Sequence, residues 1–182
     1  VMEQSAGRSA LSEFDELLRA NRIRVFRLLA GMVGDRDAAE DLTQECLLRA
    51  HQASSGFRRE SAFTTWLVRI AINLATDYQR NRRLQFWRML VRPQPDAAGE
   101  LIESFSDGRA TAERSAIARQ QVERVWEAAR RLSAQQRAIF LLRFVEEMEI
   151  SEIAAATDLA EGTVKVHLSR AVRAVRKALQ KS

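Results

Sequence analysis

The sequence predicts an all-α protein of two small helical domains joined by a flexible linker, the second domain containing a helix-turn-helix. Three observations lead there. Only two prolines and seven glycines interrupt 182 residues, while the helix formers Ala, Leu, Arg and Glu are abundant. Apolar residues recur at three- and four-residue spacing through most of the chain, the period of a helix packed on a core. Charge then divides the chain, with residues 1–92 at net +4, 93–112 at net −3 and 113–182 at net +4. The middle segment holds both prolines and two of the glycines. It has no helical period, so 93–112 reads as an acidic linker between domains 1–92 and 113–182.

Each element follows from its own pattern. In the first domain Phe14, Leu18, Val25, Leu29 and Met32 form the apolar stripe of a helix ending near Gly34. Asp35–Asp37 opens a second helix, since acidic side chains complement a helix N-terminus, and it runs to about Ala53. A loop over Ser54–Ser61 precedes a third helix from Ala62 to about Arg83, with Phe63, Leu67, Ile70, Leu74 and Tyr78 facing inward. In the second domain Ile117, Val122, Val125, Ala129 and Leu132 mark a helix. Ser133 to Gln136 has capping-box spacing and opens another, ending near Glu147. Ile150–Ala156 is a short helix, Thr157–Ala160 a tight turn, and Glu161 begins a long helix with Val164, Leu168, Val172, Val175 and Leu179 on one face. Lys165, Arg170, Arg173, Lys177 and Lys181 occupy its other faces, and no acidic residue follows Glu161. Short helix, short turn and basic second helix make a helix-turn-helix, whose second helix enters the major groove of DNA. An amphipathic helix with a solvated basic face is the blander reading; the helix and turn just upstream count against it.

Two further faces carry chemistry. On the third helix Trp66, Arg69, Asn73, Thr76, Arg80 and Arg83 share a stripe separate from the apolar one, combining a stacking ring, an amide and guanidinium groups. The loop before it supplies Phe57, Arg58, Arg59, Glu60 and Ser61, with Phe63 just beyond. Aromatics interleaved with donors and acceptors suit unstacked, single-stranded bases. Composition alone leaves this even with a plainer arrangement, in which Trp66 is partly core and the arginines are solvated. On the second helix Asp41, Gln44, Glu45 and Leu48 share a face. A leucine among acids reads as a docking surface for another protein, and equally as a solvated acidic face.

Composition also excludes. The net charge of +5 favours an anionic partner. A lone cysteine rules out an internal disulfide and a cysteine-based zinc finger; Cys46 falls in register with Ala39, Leu42 and Ala53, a core stripe. No apolar run reaches membrane-spanning length, so no stable membrane insertion is expected. Early charges argue against a signal peptide, and the expected location is the cytoplasm. Glu40, Asp41, Glu45 and His51 lack metal-ligand spacing. No glycine-rich phosphate loop or nucleophile elbow occurs. The expectation is therefore a non-enzyme, with no catalytic residue, metal or cofactor.

Taken in order, Asp41-Leu-Thr-Gln-Glu45, Phe57-Arg-Arg-Glu-Ser-Ala-Phe-Thr-Thr-Trp66 continuing to Asn73, Leu132-Ser-Ala-Gln-Gln-Arg137 and Glu161-Gly-Thr-Val-Lys165 resemble the extracytoplasmic-function group of bacterial sigma factors, within the sigma-70 family. The resemblance spans nearly the whole chain, with the linker where that family has one. It implies a first domain that binds core RNA polymerase through Asp41, Gln44, Glu45 and Leu48. The same domain would melt the −10 promoter element with Phe57, Arg58, Glu60, Ser61, Phe63, Trp66, Arg69, Asn73, Thr76 and Arg80. It implies a second domain that reads the −35 element through Thr163, Lys165, Val166, His167, Ser169, Arg170 and Arg173, and control by an anti-sigma factor. Lys165, Val166, Ser169 and Arg170 are assigned to base edges, and Thr163, His167 and Arg173 to the backbone.

Three positions depart from the family pattern. Arg59 stands where glycine is common in the −10 loop, and Asp158 where glycine is frequent in the helix-turn-helix turn. Asp tolerates left-handed backbone, so that turn can survive. Val166 and His167 replace a polar–arginine pair, which leaves the −35 preference open. A DNA-binding regulator independent of polymerase is the alternative, but it needs a sensory domain with alternating strands, and residues 1–92 show no strand period. An RNA-binding helical protein explains the basic stripes without the paired modules. About twenty linker residues reach at most roughly 65–70 Å, comparable to two turns of B-DNA at about 70 Å. One monomer thus spans two promoter elements, and no homodimer is required.

Overall fold

The computed structural model describes residues 2–54, 62–88 and 112–180, with side chains within 13–54, 62–82 and 120–180. Among them lie seven helices and no strand: α1 (Met2–Val33), α2 (Arg36–Gln52), α3 (Phe63–Arg88), α4 (Ala112–Arg130), α5 (Ala134–Phe144), α6 (Ile150–Thr157) and α7 (Glu161–Gln180). The inferred loop residues 55–61 and linker residues 93–111 lie outside the described residues.

Local chemistry sets the boundaries. At the end of α1, Gly34 takes φ +72° and donates its N–H to the Ala30 carbonyl at 2.9 Å; glycine enters left-handed backbone without a Cβ penalty. Asp35 caps α2, its carboxylate accepting from the Ala38 N–H at 3.1 Å. Ser133 caps α5, its hydroxyl accepting from the Gln136 N–H at 3.3 Å. Asp158 ends α6 at φ 57°, ψ 40°, the left-handed turn its sequence position foretold. Helix α1 begins well before Phe14, and α3 continues past Arg83; helical propensity carries both beyond the apolar stripes that betray them.

Helices α1, α2 and α3 pack on one another, as do α4, α5, α6 and α7, but the two groups share a single continuous core. Helix α1 lies against α4 and α5, and α3 against α6. Gly31 makes the first approach possible. A Cβ built there would lie 2.9 Å from both a Leu141 methyl and the Trp126 ring, closer than packed atoms sit. Polar groups complete the junction. The Met32 carbonyl, near the α1 C-terminus where intrahelical donors run out, accepts from Gln79 Nε2 at 2.6 Å and from Arg137 Nη1 at 2.8 Å. Arg137 also donates to the carbonyls of Ala129, at 3.1 Å, and of Arg130. One guanidinium therefore closes the ends of α1 and α4 together. Burial, followed by the Arg130 charge, lowers its pKa from the ordinary arginine value.

Candidate nucleic-acid and partner interfaces

On α2, buried Ala39, Thr43, Cys46 and Ala50 take one side of the helix. Asp41 and Gln44 are exposed on the other side, and Leu48 leaves 52% of its surface to solvent. Glu45 is half-buried and bonded to Arg49 at 2.7 Å. All four inferred docking residues thus lie on the helix surface away from the core. An exposed leucine thus stands among acidic side chains on the solvent side of α2.

The α3 stripe is divided. Trp66 and Phe63 are half-buried: the Trp66 ring stands edge-on to Phe14 at 6.1 Å and tilted against Phe63 at 5.8 Å, with Phe14 and Phe63 themselves 5.4 Å apart. This trio fastens the start of α3 to α1, so both rings have a structural task in the free chain. Further along, Arg69, Asn73, Thr76 and Arg80 are exposed on one side. Arg80 pairs with Asp77 at 3.1 Å, and Arg69 donates from Nη2 to the backbone carbonyl of Ala155 in α6. The first helix of the helix-turn-helix thus sits against the middle of the stripe. Phe57, Arg58, Glu60 and Ser61 lie outside the described residues, as does the Arg83 side chain.

On α7, Val164, Ala171 and Val175 are buried, while Thr163, Lys165, Val166, Ser169, Arg170 and Arg173 are exposed. Lys165 leans to Glu161 at 3.6 Å, an exposed pair one turn apart that gives little stability. Val166 is 48% exposed, an apolar side chain standing in a basic face. His167 differs from its neighbours: it is half-buried and its Nδ1 is buried with no hydrogen-bond partner among the described residues. Its ring therefore leans into the protein, a poorer position for a phosphate contact than that of Arg173.

Sequence reasoning missed two features. Beside α7 opens a groove of about 600 Å³ with Phe144, Leu168 and Val172 in its lining and Arg143, Lys165, Arg173 and Arg176 around them. Phe144 is 54% exposed there, its ring 4.8 Å from that of Phe140 one turn back; the i, i+4 spacing from Phe140 fits a core stripe, so nothing in the pattern marked it as exposed. The other is a buried carboxylate, Glu146, bonded to Arg24 across the junction. No cluster of three or more His, Cys, Asp or Glu side chains able to hold a metal occurs among the described residues. None of the described helices is long and apolar enough to cross a membrane.

The two helical groups coincide with two family models. Residues 17–85 match Sigma-70 region 2, and residues 122–175 match Sigma-70, region 4. With both modules present in that order, the chain belongs to the sigma-70 family, the transcription initiation factors that bind core RNA polymerase and direct it to promoter DNA. It is 32% identical over 174 residues to the RNA polymerase sigma-H factor of Pseudomonas aeruginosa, covering 92% of this chain and 86% of that one. Over 167 residues it is 25% identical to the ECF sigma factor SigW of Bacillus subtilis, covering 92% and 89%. Within the family it is an extracytoplasmic-function factor. Its fold is similar to that of the sigma factor RpoE in complex with the anti-sigma factor NepR from Bartonella quintana, at a TM-score of 0.75 and 21% identity, covering 92% of this chain and 97% of that one. It also resembles CnrH in complex with the cytosolic domain of CnrY, at a TM-score of 0.66 and 19% identity, covering 96% and 95%.

Proposed function

We propose that the work of this sigma factor is divided among three surfaces. The α2 face of Asp41, Gln44, Glu45 and Leu48 docks on core polymerase. The stripe of Arg69, Asn73, Thr76 and Arg80, with the 57–61 loop and the Phe63–Trp66 rings beside it, holds the melted −10 strand. The exposed side of α7 reads the −35 duplex, with Lys165, Val166, Ser169 and Arg170 at base edges and Thr163 and Arg173 at the backbone; His167 is the weakest member of that set. Domains 1–92 and 113–182 carry these tasks, and the acidic 93–112 linker lets them reach two promoter elements. The factor has no catalytic site of its own, acts in the cytoplasm, and is held in check by an anti-sigma protein.

The observation that carries this reading is the exposure of three chemically distinct faces on three helices of two paired modules. Acids with a leucine suit a protein surface, amide and guanidinium groups suit an unpaired strand, and a basic helix suits a groove. Binding of the purified chain to core polymerase is the test. Asp41→Arg should weaken that binding at least about tenfold, an energy of about 1.4 kcal/mol, while leaving the fold intact, since exposed substitutions usually cost under about 0.5 kcal/mol. Normal binding by a folded Asp41→Arg protein removes the α2 face from the proposal. No binding by the wild-type chain overturns the whole reading.

A further inference from the structure

Successive side chains of α7 are turned about 100° around the helix axis, so each can be placed relative to the core. Val164, Ala171 and Val175 are buried and mark the inward side. Gly162, Val166, Ser169 and Arg173 fall on the line opposite them, all exposed, with Lys165 and Arg170 flanking that line on either side. The N-terminal stretch of the line, the part that enters a major groove, therefore carries no charge: a glycine, a valine and a serine precede Arg173. Val166 is 48% exposed. An exposed β-branched residue is a weaker helix former than the lysine and arginines around it, so helix formation does not call for it. Gly162 is a poorer helix residue than alanine. A Cβ built on it meets nothing within 4 Å, and its backbone is helical. Neither packing nor conformation within the chain calls for glycine there. The outermost line of the helix is thus low and apolar where it comes nearest the bases.

We propose that Val166 reads the C5-methyl group of one thymine in the −35 duplex, and that Gly162 lets the helix come close enough for that contact. The inference rests on the assignment of the exposed side of α7 to that duplex. Among the groups that base edges display in the major groove, the thymine methyl is the apolar one. A donor or acceptor covered by valine loses water and gains no partner, so valine selects against those groups and for the methyl. Apolar groups touch only within about 4 Å. Position 162 lies one turn before Val166 on the same line, and a side chain there would stand between helix and duplex and hold the valine off. Lys165 and Arg170 reach past the valine on either side to neighbouring base edges, and Arg173 holds the backbone.

The measurement uses holoenzyme assembled from the full chain and core polymerase, with a promoter duplex selected from a pool randomised over the −35 element. Each thymine of the selected element, on either strand, is replaced in turn by deoxyuridine, which removes the methyl and keeps every hydrogen-bonding group. One replacement should weaken binding about three- to fivefold, the worth of one methyl leaving an apolar contact. That ratio should be the same at low and high salt, since no counterion is involved. For Val166→Ser the same replacement should make no difference, while the variant melts as the wild type does. Gly162→Ala should melt no lower than wild type, yet bind the selected duplex several-fold more weakly and discriminate less between thymine and deoxyuridine. A selected element without thymine, indifference of the wild type to every replacement, or undiminished discrimination by Val166→Ser overturns the inference and leaves α7 assigned to the −35 element. Wild-type binding by Gly162→Ala overturns the role given to Gly162. A pool that yields no −35 preference at all removes the assignment of α7, and the methyl contact falls with it.

Discussion

Cys46 and Trp66 show how one side chain can be read correctly in part and still surprise. Cys46 falls on the apolar register of α2, and it is fully buried, its thiol 3.9 Å from the Leu67 carbonyl. Burial pushes its pKa up to about 12, against a small opposing pull from Arg49. The thiolate is the reactive form, so Cys46 should resist alkylation at pH 8 in the native protein and react only as fast as the chain opens. Prompt labelling without loss of helix signal would contradict that burial. The sequence pattern leaves Trp66 evenly balanced between core and base stacking. Its packing on Phe14 and Phe63 predicts that Trp66→Ala lowers thermal stability by about 2–3 kcal/mol, below the full cost of a wholly buried ring. A variant with unchanged melting and impaired promoter opening would return the ring to DNA alone.

Among the elements, α7 is the clearest test of orientation. Arg170 and Arg173 are both exposed and one turn apart, so only depth in the groove distinguishes them. Arg170, nearer the N-terminal end, can bond bidentately to guanine; Arg170→Ala should cost about 1–3 kcal/mol and relax preference at one base pair. Arg173→Ala should weaken all sequences alike and reduce the salt dependence by about one counterion. Competition binding to a library of −35 duplexes at several salt concentrations measures both, and reversed behaviour means the helix enters the groove the other way. Much at this scale was legible beforehand, because caps and turns are local. Asp35, Ser133 and Asp158 each act within four residues of their own position, where a sequence pattern reports the chemistry directly.

At the scale of the whole molecule the packing of α1 on α4 and α5 depends on close approach at Gly31. Gly31→Ala pushes a methyl into Leu141 and Trp126, which should lower the melting temperature by a few degrees, the effect of about 1–2 kcal/mol of overpacking in a chain this size. Calorimetry checks it; an unchanged melting curve would mean the junction yields freely there.

Sequence alone determined the helical class, the order of the two modules, the helix-turn-helix and the chemistry of the three exposed faces. Helix period, capping and charge all act over a few neighbouring residues, so they are written in the chain itself. Tertiary structure alone decided that the modules pack together, that Arg69 meets Ala155, and that Arg24 meets a buried Glu146. Those partners stand 86 and 122 positions apart. No spacing rule relates them, because their pairing comes from how the helix bundles dock rather than from how each helix forms.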